Sequence, residues 1–217
     1  DARNRLLEQF NTRSLEGFGC EKYSAGIGAA GALVFYVQDS QKQEIRHLTG
    51  LETYVLDHYL LIDEVSFHNL ELFKNLKTGS RTGTLLGVLD TTVTAMGGRL
   101  LKKWLRYPLV DGQEIDARLD AVEAAKNNIA VRKAIRNFLK SVADMERLAG
   151  RISMGYSNAR DLLALKASIL VLPEISKELE HFRADLFLRD RSQDTVLEKL
   201  ATLIESAIVD APPPTVN

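Results

Sequence analysis

The sequence has few cysteines, little net charge and no long apolar runs. Its 217 residues include one cysteine, Cys20, which cannot form an internal disulfide and so fits a reducing compartment such as the cytoplasm. The 28 Lys and Arg balance 29 Asp and Glu, and the formal charge of -1 excludes a global field that would draw the chain onto nucleic acid or an anionic membrane. Its apolar runs are far shorter than the roughly 18 residues that span a bilayer. The sequence therefore predicts a folded cytoplasmic protein with no membrane partner.

Catalytic and metal-binding patterns are missing as well. The four histidines are widely spaced, no second cysteine completes a Cys-x-x-Cys pair, and the carboxylates are explained as helix starts and solvated charges. The run Gly79–Gly83 lacks the Gly-Lys-Ser/Thr ending of a phosphate loop, which favours a mobile turn. We expect no catalytic, cofactor-binding or metal-binding residue in this chain.

One segment matches a nucleotide-binding motif in sequence but lacks the structural context that the motif requires. Gly26–Gly31 reads G-x-G-x-x-G at the start of a predicted helix, as in dinucleotide-binding folds. The preceding Cys20–Ser24 is short and polar, whereas that fold requires a buried strand at this point. The glycines are interpreted instead as small residues that let the helix lie flat on a sheet. A dinucleotide-dependent enzyme is kept as an alternative.

Glycine is confined to the first part of the chain, since all 14 glycines lie at or before Gly155. The pattern is mixed before about residue 110 and helical almost throughout after it. Thr53–Ile62 is predicted as a strand, and Pro173 is predicted to end one helix and open the next. Apolar spacing and capping residues predict helices over 3–10, 25–38, 64–72, 144–153, 158–172, 174–182 and 195–209, with two more beginning near 111 and 131.

Basic residues form two local clusters. The first contains Arg99, Lys102, Lys103 and Arg106 around Trp104. The second, on the next-but-one helix, is a stripe that repeats every fourth residue: Arg132, Arg136 and Lys140. Such a stripe suits phosphate contacts, although the solvated face of an ordinary amphipathic helix looks the same and is the favoured interpretation.

The environment of Trp104 is the most specific packing prediction. Leu100, Leu101 and Leu105 accompany the ring on one face, so we expect Trp104 to be largely buried. The adjacent Gly97-Gly98 pair is predicted to break a helix and to set the approach of neighbouring elements.

The run Leu89–Leu105, LDTTVTAMGGRLLKKWL, together with the following Pro108-Leu109, strongly resembles the MutS family of DNA mismatch-repair proteins. Further segments resemble the same family in the same order. They are Thr12–Gly19, Ala29–Leu33, Leu119–Val122, Asp144–Leu148, Arg151-Ile152 and Asn158–Leu162. The resemblance implies a mainly α fold, in which a helical lever or core domain follows the C-terminal end of an α/β connector domain.

The same resemblance implies a domain organisation. Residues 1–40 are expected to be the end of the connector, 41–110 a linking segment and the start of the core, and 111–217 the helical lever, ending just before a DNA-clamp insertion. Because the chain begins at Asp1 and ends in a proline-rich run, we expect it to be a piece of a longer protein.

The implied role is mechanical. The lever would transmit motion between ATPase and DNA-clamp parts, with no catalysis of its own, because the Phe-x-Glu mismatch reader and the Walker A loop of the family do not occur here. ATP and magnesium are expected for the full-length parent only. Expected partners are the other domains of the parent, mismatched double-stranded DNA through the full-length protein, and a second copy in a homodimer.

Two sets of residues are candidates for these contacts. Interdomain packing is expected to involve Met96, Gly97, Arg99 and Trp104. Contacts with DNA phosphates are expected to involve Arg132, Arg136 and Lys140.

A different class of function is also considered, a helical protein-interaction module unrelated to DNA repair. Its partner would dock on the last helix, whose apolar seam contains Val196, Leu200, Leu203 and Ala207. An apolar seam without a cover should find a partner, and we expect self-association.

Overall fold

The chain forms two compact units, Asp1–Leu56 and Asp57–Asn217. The structure is a computed structural model that describes residues 2–41, 45, 48, 50–53, 58–188 and 192–213. Within those residues it consists of helices, turns, loops and one isolated β-bridge, which confirms the prediction of a mainly α fold. None of the described helices combines the length and the apolarity that crossing a membrane requires. The domain boundaries at residues 40 and 110 stay predictions.

The helices are numbered in chain order. They are α1 (Ala2–Gln9), α2 (Ser24–Gln41), α3 (Glu64–Asn69), α4 (Leu85–Leu89), α5 (Ala95–Arg106), α6 (Gly112–Asn127), α7 (Ile129–Leu139), α8 (Met145–Ser153), α9 (Ala159–Leu179) and α10 (Asp194–Ala207). Single 3-10 turns lie at Glu16–Phe18 and Asp185–Phe187.

The first unit is built on the packing of α1 against α2. Leu6 and Leu15 are fully buried at its centre, and Cys20 lies beside them with 5% of its surface exposed. A Cβ added to Gly31 of α2 would lie 2.5 Å from both the Cβ and the carbonyl oxygen of Ala2. Of the three glycines in the G-x-G-x-x-G run, Gly31 is therefore the one that permits the close packing of α2 on α1. The expected sheet partner is wrong for the described residues, because α2 packs on a helix.

The predicted strand over Thr53–Ile62 is wrong for the part of it that the structure describes. Residues 54–57 lie outside the described residues, and residues 58–62 make only a short antiparallel pairing. In this pairing Tyr59 bridges Leu109, and the Leu60 amide donates to the Pro108 carbonyl at 2.8 Å. Leu61, one of the β-compatible residues that suggested the strand, is 64% exposed.

The second unit is organised around α9, which packs against α7, α8 and α10. The predicted break at Pro173 is wrong, because α9 runs through it as one helix of 21 residues. A proline inside a helix costs about 3 kcal/mol, since it has no amide to donate and crowds the preceding turn. Ile169 and Ile175, on either side of Pro173, are 3% and 9% exposed. Their burial against neighbouring helices offsets the local cost.

Helix starts follow the predicted capping residues. Asp63 accepts a hydrogen bond from the Ser66 amide at 2.9 Å, and Asp111 accepts one from the Glu114 amide at the same distance. Asn158 and Asp161 form a reciprocal capping box at the start of α9. The predicted C-terminal end of α3 is wrong, because the helix ends at Asn69 and not at Leu72.

Several apolar faces of the second unit are exposed. On α6, Ile115, Leu119 and Val122 share a face as predicted, yet they are 37%, 58% and 61% exposed. On α10, the side facing α9 is buried, whereas Val196 and Leu203 are 58% and 63% exposed. The exposure of Val196 and Leu203 agrees with the uncovered seam expected on the last helix, whereas periodicity gave no sign that the α6 face would also be exposed.

Candidate functional site

The segment that leads into α5 is fixed by one carboxylate. Asp90 accepts hydrogen bonds from the Thr92 amide at 3.0 Å and the Thr92 hydroxyl at 2.5 Å, and its other oxygen accepts from Arg81 at 2.6 Å. The Thr92 hydrogen bonds, supported by Arg81, lower the pKa of Asp90 to about 2. An ionised Asp90 therefore joins the turn before α4 to the turn before α5.

Thr94 and Gly97 define the first turn of α5. The Thr94 hydroxyl accepts from the Gly97 amide at 3.1 Å, as an N-cap does. A Cβ on Gly97 would lie 3.1 Å from that oxygen, and one on Gly98 would lie 3.3 Å from the Thr92 hydroxyl. The predicted helix break at the glycine pair is wrong, because both residues lie inside α5. Their lack of a side chain leaves room for the Thr94 cap and for the Thr92 hydroxyl.

Arg99 joins α5 to the start of α8. Its Nη1 and Nη2 donate to the two oxygens of Asp144 at 2.8 and 2.6 Å, a bidentate pair, and its Nε and Nη2 donate to Glu146 at 2.8 and 2.6 Å. Asp144 also caps α8 by accepting from the Arg147 amide at 3.3 Å. We call Arg99, Asp144 and Glu146 the Arg99 clamp. Bidentate arginine-carboxylate pairs fix orientation as well as distance, so the clamp sets how α5 meets α8.

Charge in the clamp is strongly stabilised. Hydrogen bonds from Arg99 lower the pKa of Asp144 to about 2, and the same bonds raise the pKa of Arg99. Both groups remain charged over the whole physiological pH range. The clamp is thus a permanent ion pair between segments 45 residues apart.

Acidification from about pH 4 to about pH 2 is expected to weaken the second unit. An unfolded Asp has a pKa of about 3.9, whereas that of folded Asp144 is about 2. The unfolded chain then takes up the proton first, so the contribution is complete above about pH 4 and is lost as pH falls through 2. Thermal midpoints measured by tryptophan fluorescence between pH 5 and 2 check this expectation.

Two variants test the contribution of Asp144 to that pH dependence. Asp144→Asn should reduce the fall of the midpoint between pH 4 and 2 and leave the part that is due to Asp90, whereas Asp116→Asn, which removes an exposed carboxylate of α6, should leave the slope unchanged. Equal slopes in the two variants would contradict the assignment to Asp144.

The other residues expected in interdomain packing share α5 with Arg99. Met96 is half-buried, and Gly97 lies close to the Thr94 hydroxyl. The predicted burial of Trp104 is wrong, because the residue is 39% exposed and its ring instead carries the Arg118 guanidinium 4.0 Å from its centroid. Cation–π contact favours a ring with one accessible face. Whether these residues contact another domain stays a prediction.

The basic stripe on α7 is partly used within the fold. Arg132 donates to the Ala125 carbonyl at 3.0 Å and the Lys126 carbonyl at 3.5 Å, and so satisfies the C-terminal end of α6. Lys140 donates to the Asn137 side chain at 3.1 Å, and Arg136 is exposed. The stripe is a solvated helix face with one structural arginine, and its contact with DNA phosphates stays a prediction.

Two glycine-containing segments singled out in the sequence are engaged in contacts within the fold. Ala2 packs directly against Gly31, and just before Gly79–Gly83 the Lys77 and Thr78 amides donate to the Asn75 side chain at 3.0 and 3.1 Å. Across the described residues, no group of three or more His, Cys, Asp or Glu side chains is arranged to hold a metal ion.

A basic groove lies at the C-terminal end of α5. It is shallow and open to solvent, with a volume of about 380 Å³, and is lined by Phe73, Lys102, Lys103, Arg106 and Tyr107. We call it the α5 groove. The sequence showed the three cations of the groove but did not single out Phe73 or Tyr107 as site residues, nor the acidic partners of Arg99. Phe73 and the acidic partners lie far from α5 in the sequence, so no local pattern connects them with it.

Comparison with known proteins accounts for both units. The sequence matches the family model of MutS domain II over residues 1–49 and that of MutS domain III over residues 65–217. The chain belongs to the MutS family. The predicted resemblance is confirmed, and the domain III match includes both the Arg99 clamp and most of the second unit.

Individual relatives agree with this assignment. Proteins named DNA mismatch repair protein MutS are 51% identical in Desulforapulum autotrophicum, over 100% of this chain and 25% of the relative, and 54% identical in Desulfosudis oleivorans, over 86% and 21%. The protein of that name in Halothermothrix orenii is 46% identical, over 100% of this chain and 24% of the relative. The chain therefore spans about a quarter of the length of the curated relatives it matches.

Proposed function

We propose that this chain is a mechanical segment of a mismatch-recognition protein, in which the second unit acts as a lever and no catalysis occurs in the chain itself. In the proposal, the parent protein acts in the cytoplasm on mismatched double-stranded DNA. ATP and magnesium are bound by other parts of the parent. The lever carries motion between those parts and the DNA clamp.

The Arg99 clamp is the observation that carries the proposal. A lever must move as one body, because packed elements shift between discrete arrangements and do not deform continuously. Four short hydrogen bonds from one guanidinium hold α5 to α8. The uninterrupted α9, about 30 Å long at 1.5 Å per residue, extends this body along the second unit.

A chimaera tests the lever role. Residues 1–217 replace the matching quarter of the Desulforapulum relative, and ATP turnover is measured with mismatched and matched duplexes. We expect Arg99→Gln to reduce the mismatch-dependent change in turnover roughly tenfold, since coupling between sites is typically worth fivefold to 150-fold. Turnover without DNA should change little.

Lys177→Gln is the matched control, because it removes one exposed positive charge from α9. It should preserve the mismatch response. An Arg99→Gln chimaera that keeps the full response, while its thermal midpoint falls, would show that the clamp stabilises the fold without transmitting motion.

A protein-interaction role is the second candidate, and exposure of Val196 and Leu203 on α10 favours it. Two large apolar side chains on one helix face are a suitable surface for self-association. In this case the partner is a second copy of the chain, and light scattering should show a mass that rises with concentration.

A further inference from the structure

The α5 groove combines positive charge with aromatic surface in a way that the lever role does not use. Lys102 and Lys103 are exposed, and no carboxylate in the described part of the chain pairs with either of them. Arg106 reaches Glu64 at 3.5 Å, and Glu64 itself is largely exposed. Three cations thus face one carboxylate, which gives a local positive potential on a chain whose formal charge is -1.

Aromatic rings hold the arginine in place. The Arg106 guanidinium carbon lies 4.3 Å from the centroid of Phe67, and that ring stacks on Phe73 at 5.1 Å with an interplanar angle of 27°. Stacking of this kind restricts the guanidinium and keeps its donors at the groove. The groove is therefore pre-organised along one wall.

Tyr107 supplies accessible aromatic surface beside the cations. It is 41% exposed and meets Tyr59 in an edge contact, with centroids 6.0 Å apart and planes at 62°. Basic residues near the end of a helix also complement its dipole, which explains Lys103 and Arg106 without a ligand. The dipole does not explain an exposed tyrosine that completes the same groove.

We propose that the α5 groove binds single-stranded nucleic acid. Phosphates lie on Lys102, Lys103 and Arg106, and one base stacks on Tyr107. Unpaired bases expose their faces to aromatic side chains, whereas a duplex keeps its bases stacked on one another. An acidic peptide would satisfy the cations but would leave the aromatic surface unmatched. The site is separate from the Arg99 clamp and adds a ligand to the proposed lever.

Fluorescence anisotropy with a labelled oligothymidylate of about 12 nucleotides tests the proposal on the whole chain. We expect binding that weakens steeply with salt, because each neutralised phosphate releases counterions. Lys102→Glu with Lys103→Glu should lower the affinity at least about tenfold. Tyr107→Ala should lower it about fivefold or more, and Tyr107→Phe should preserve it.

Lys126→Glu with Lys177→Glu is the matched control, since it makes the same change in charge on exposed positions of α6 and α9. It should weaken binding much less than the groove pair. If Tyr107→Ala fails to fold, ultraviolet crosslinking of the oligonucleotide to the unmodified chain, mapped by mass spectrometry, must still identify Tyr107.

Three results would overturn the proposal. Equal or tighter binding of a duplex of the same length would assign the groove to paired DNA. Equal competition by polyglutamate would indicate a site for acidic protein. Equal loss in the groove pair and in the control pair would show a response to net charge alone.

Discussion

Replacing Gly31 by valine is expected to destabilise the first unit by about 1–3 kcal/mol or more. The new Cβ would lie 2.5 Å from the Ala2 carbonyl oxygen and 2.6 Å from its Cα. These are backbone atoms of α1, so the contact cannot be relieved by a rotamer change and the two helices must separate. Separation also weakens the core around Leu6, which is fully buried between them.

Gly28→Ala is the matched control on the same helix. A Cβ at Gly28 meets nothing within 4 Å, so the substitution only restricts the unfolded chain and is expected to stabilise α2 by about 1 kcal/mol. The two variants should therefore change stability in opposite directions.

Each unit contains its own probe for this test. The one cysteine, Cys20, is buried in the first unit, and the one tryptophan, Trp104, lies in the second. Gly31→Val should accelerate thiol labelling of Cys20 and leave the Trp104 unfolding transition in place. Unchanged labelling would show that α1 and α2 do not need their close approach.

Local pattern was sufficient to predict many elements of the fold. Apolar spacing located α1, α2 and α10 to within a few residues, and side-chain caps located the starts of α3, α6 and α8. These signals are local, because a cap contacts an amide three residues away and a helical face repeats every turn. The MutS family was predicted in the same way, from short runs in a fixed order.

The errors occurred where distant residues decide the outcome. Pro173 is kept within α9 by burial on either side of it, and Trp104 is exposed because its α5 face has only partial cover in the second unit. Arg99 was identified as a site residue from the family resemblance alone. Its partner Asp144 is 45 residues away, and no periodicity connects the two positions.

Ile204→Ala is expected to cost the second unit about 2–5 kcal/mol, the range for truncating a buried large aliphatic side chain. Ile204 is 5% exposed and lies with Ala201 on the side of α10 that packs against α9. Unfolding in urea, monitored by Trp104 fluorescence, measures the change. A cost below about 1 kcal/mol would contradict the packing of α10 on α9.

Its neighbour Leu203 provides the contrast, because it is 63% exposed on the opposite side of the helix. Leu203→Ala should change the stability of the monomer by no more than about 0.5 kcal/mol.

If Leu203 and Val196 join two copies, stability must rise with protein concentration, since association stabilises the folded state by mass action. Leu203→Lys with Val196→Lys should then abolish the concentration dependence while the helical content stays the same. If the unsubstituted 217-residue chain remains monomeric in light scattering at high concentration, self-association through this face is excluded. Ile204 would still be required for folding.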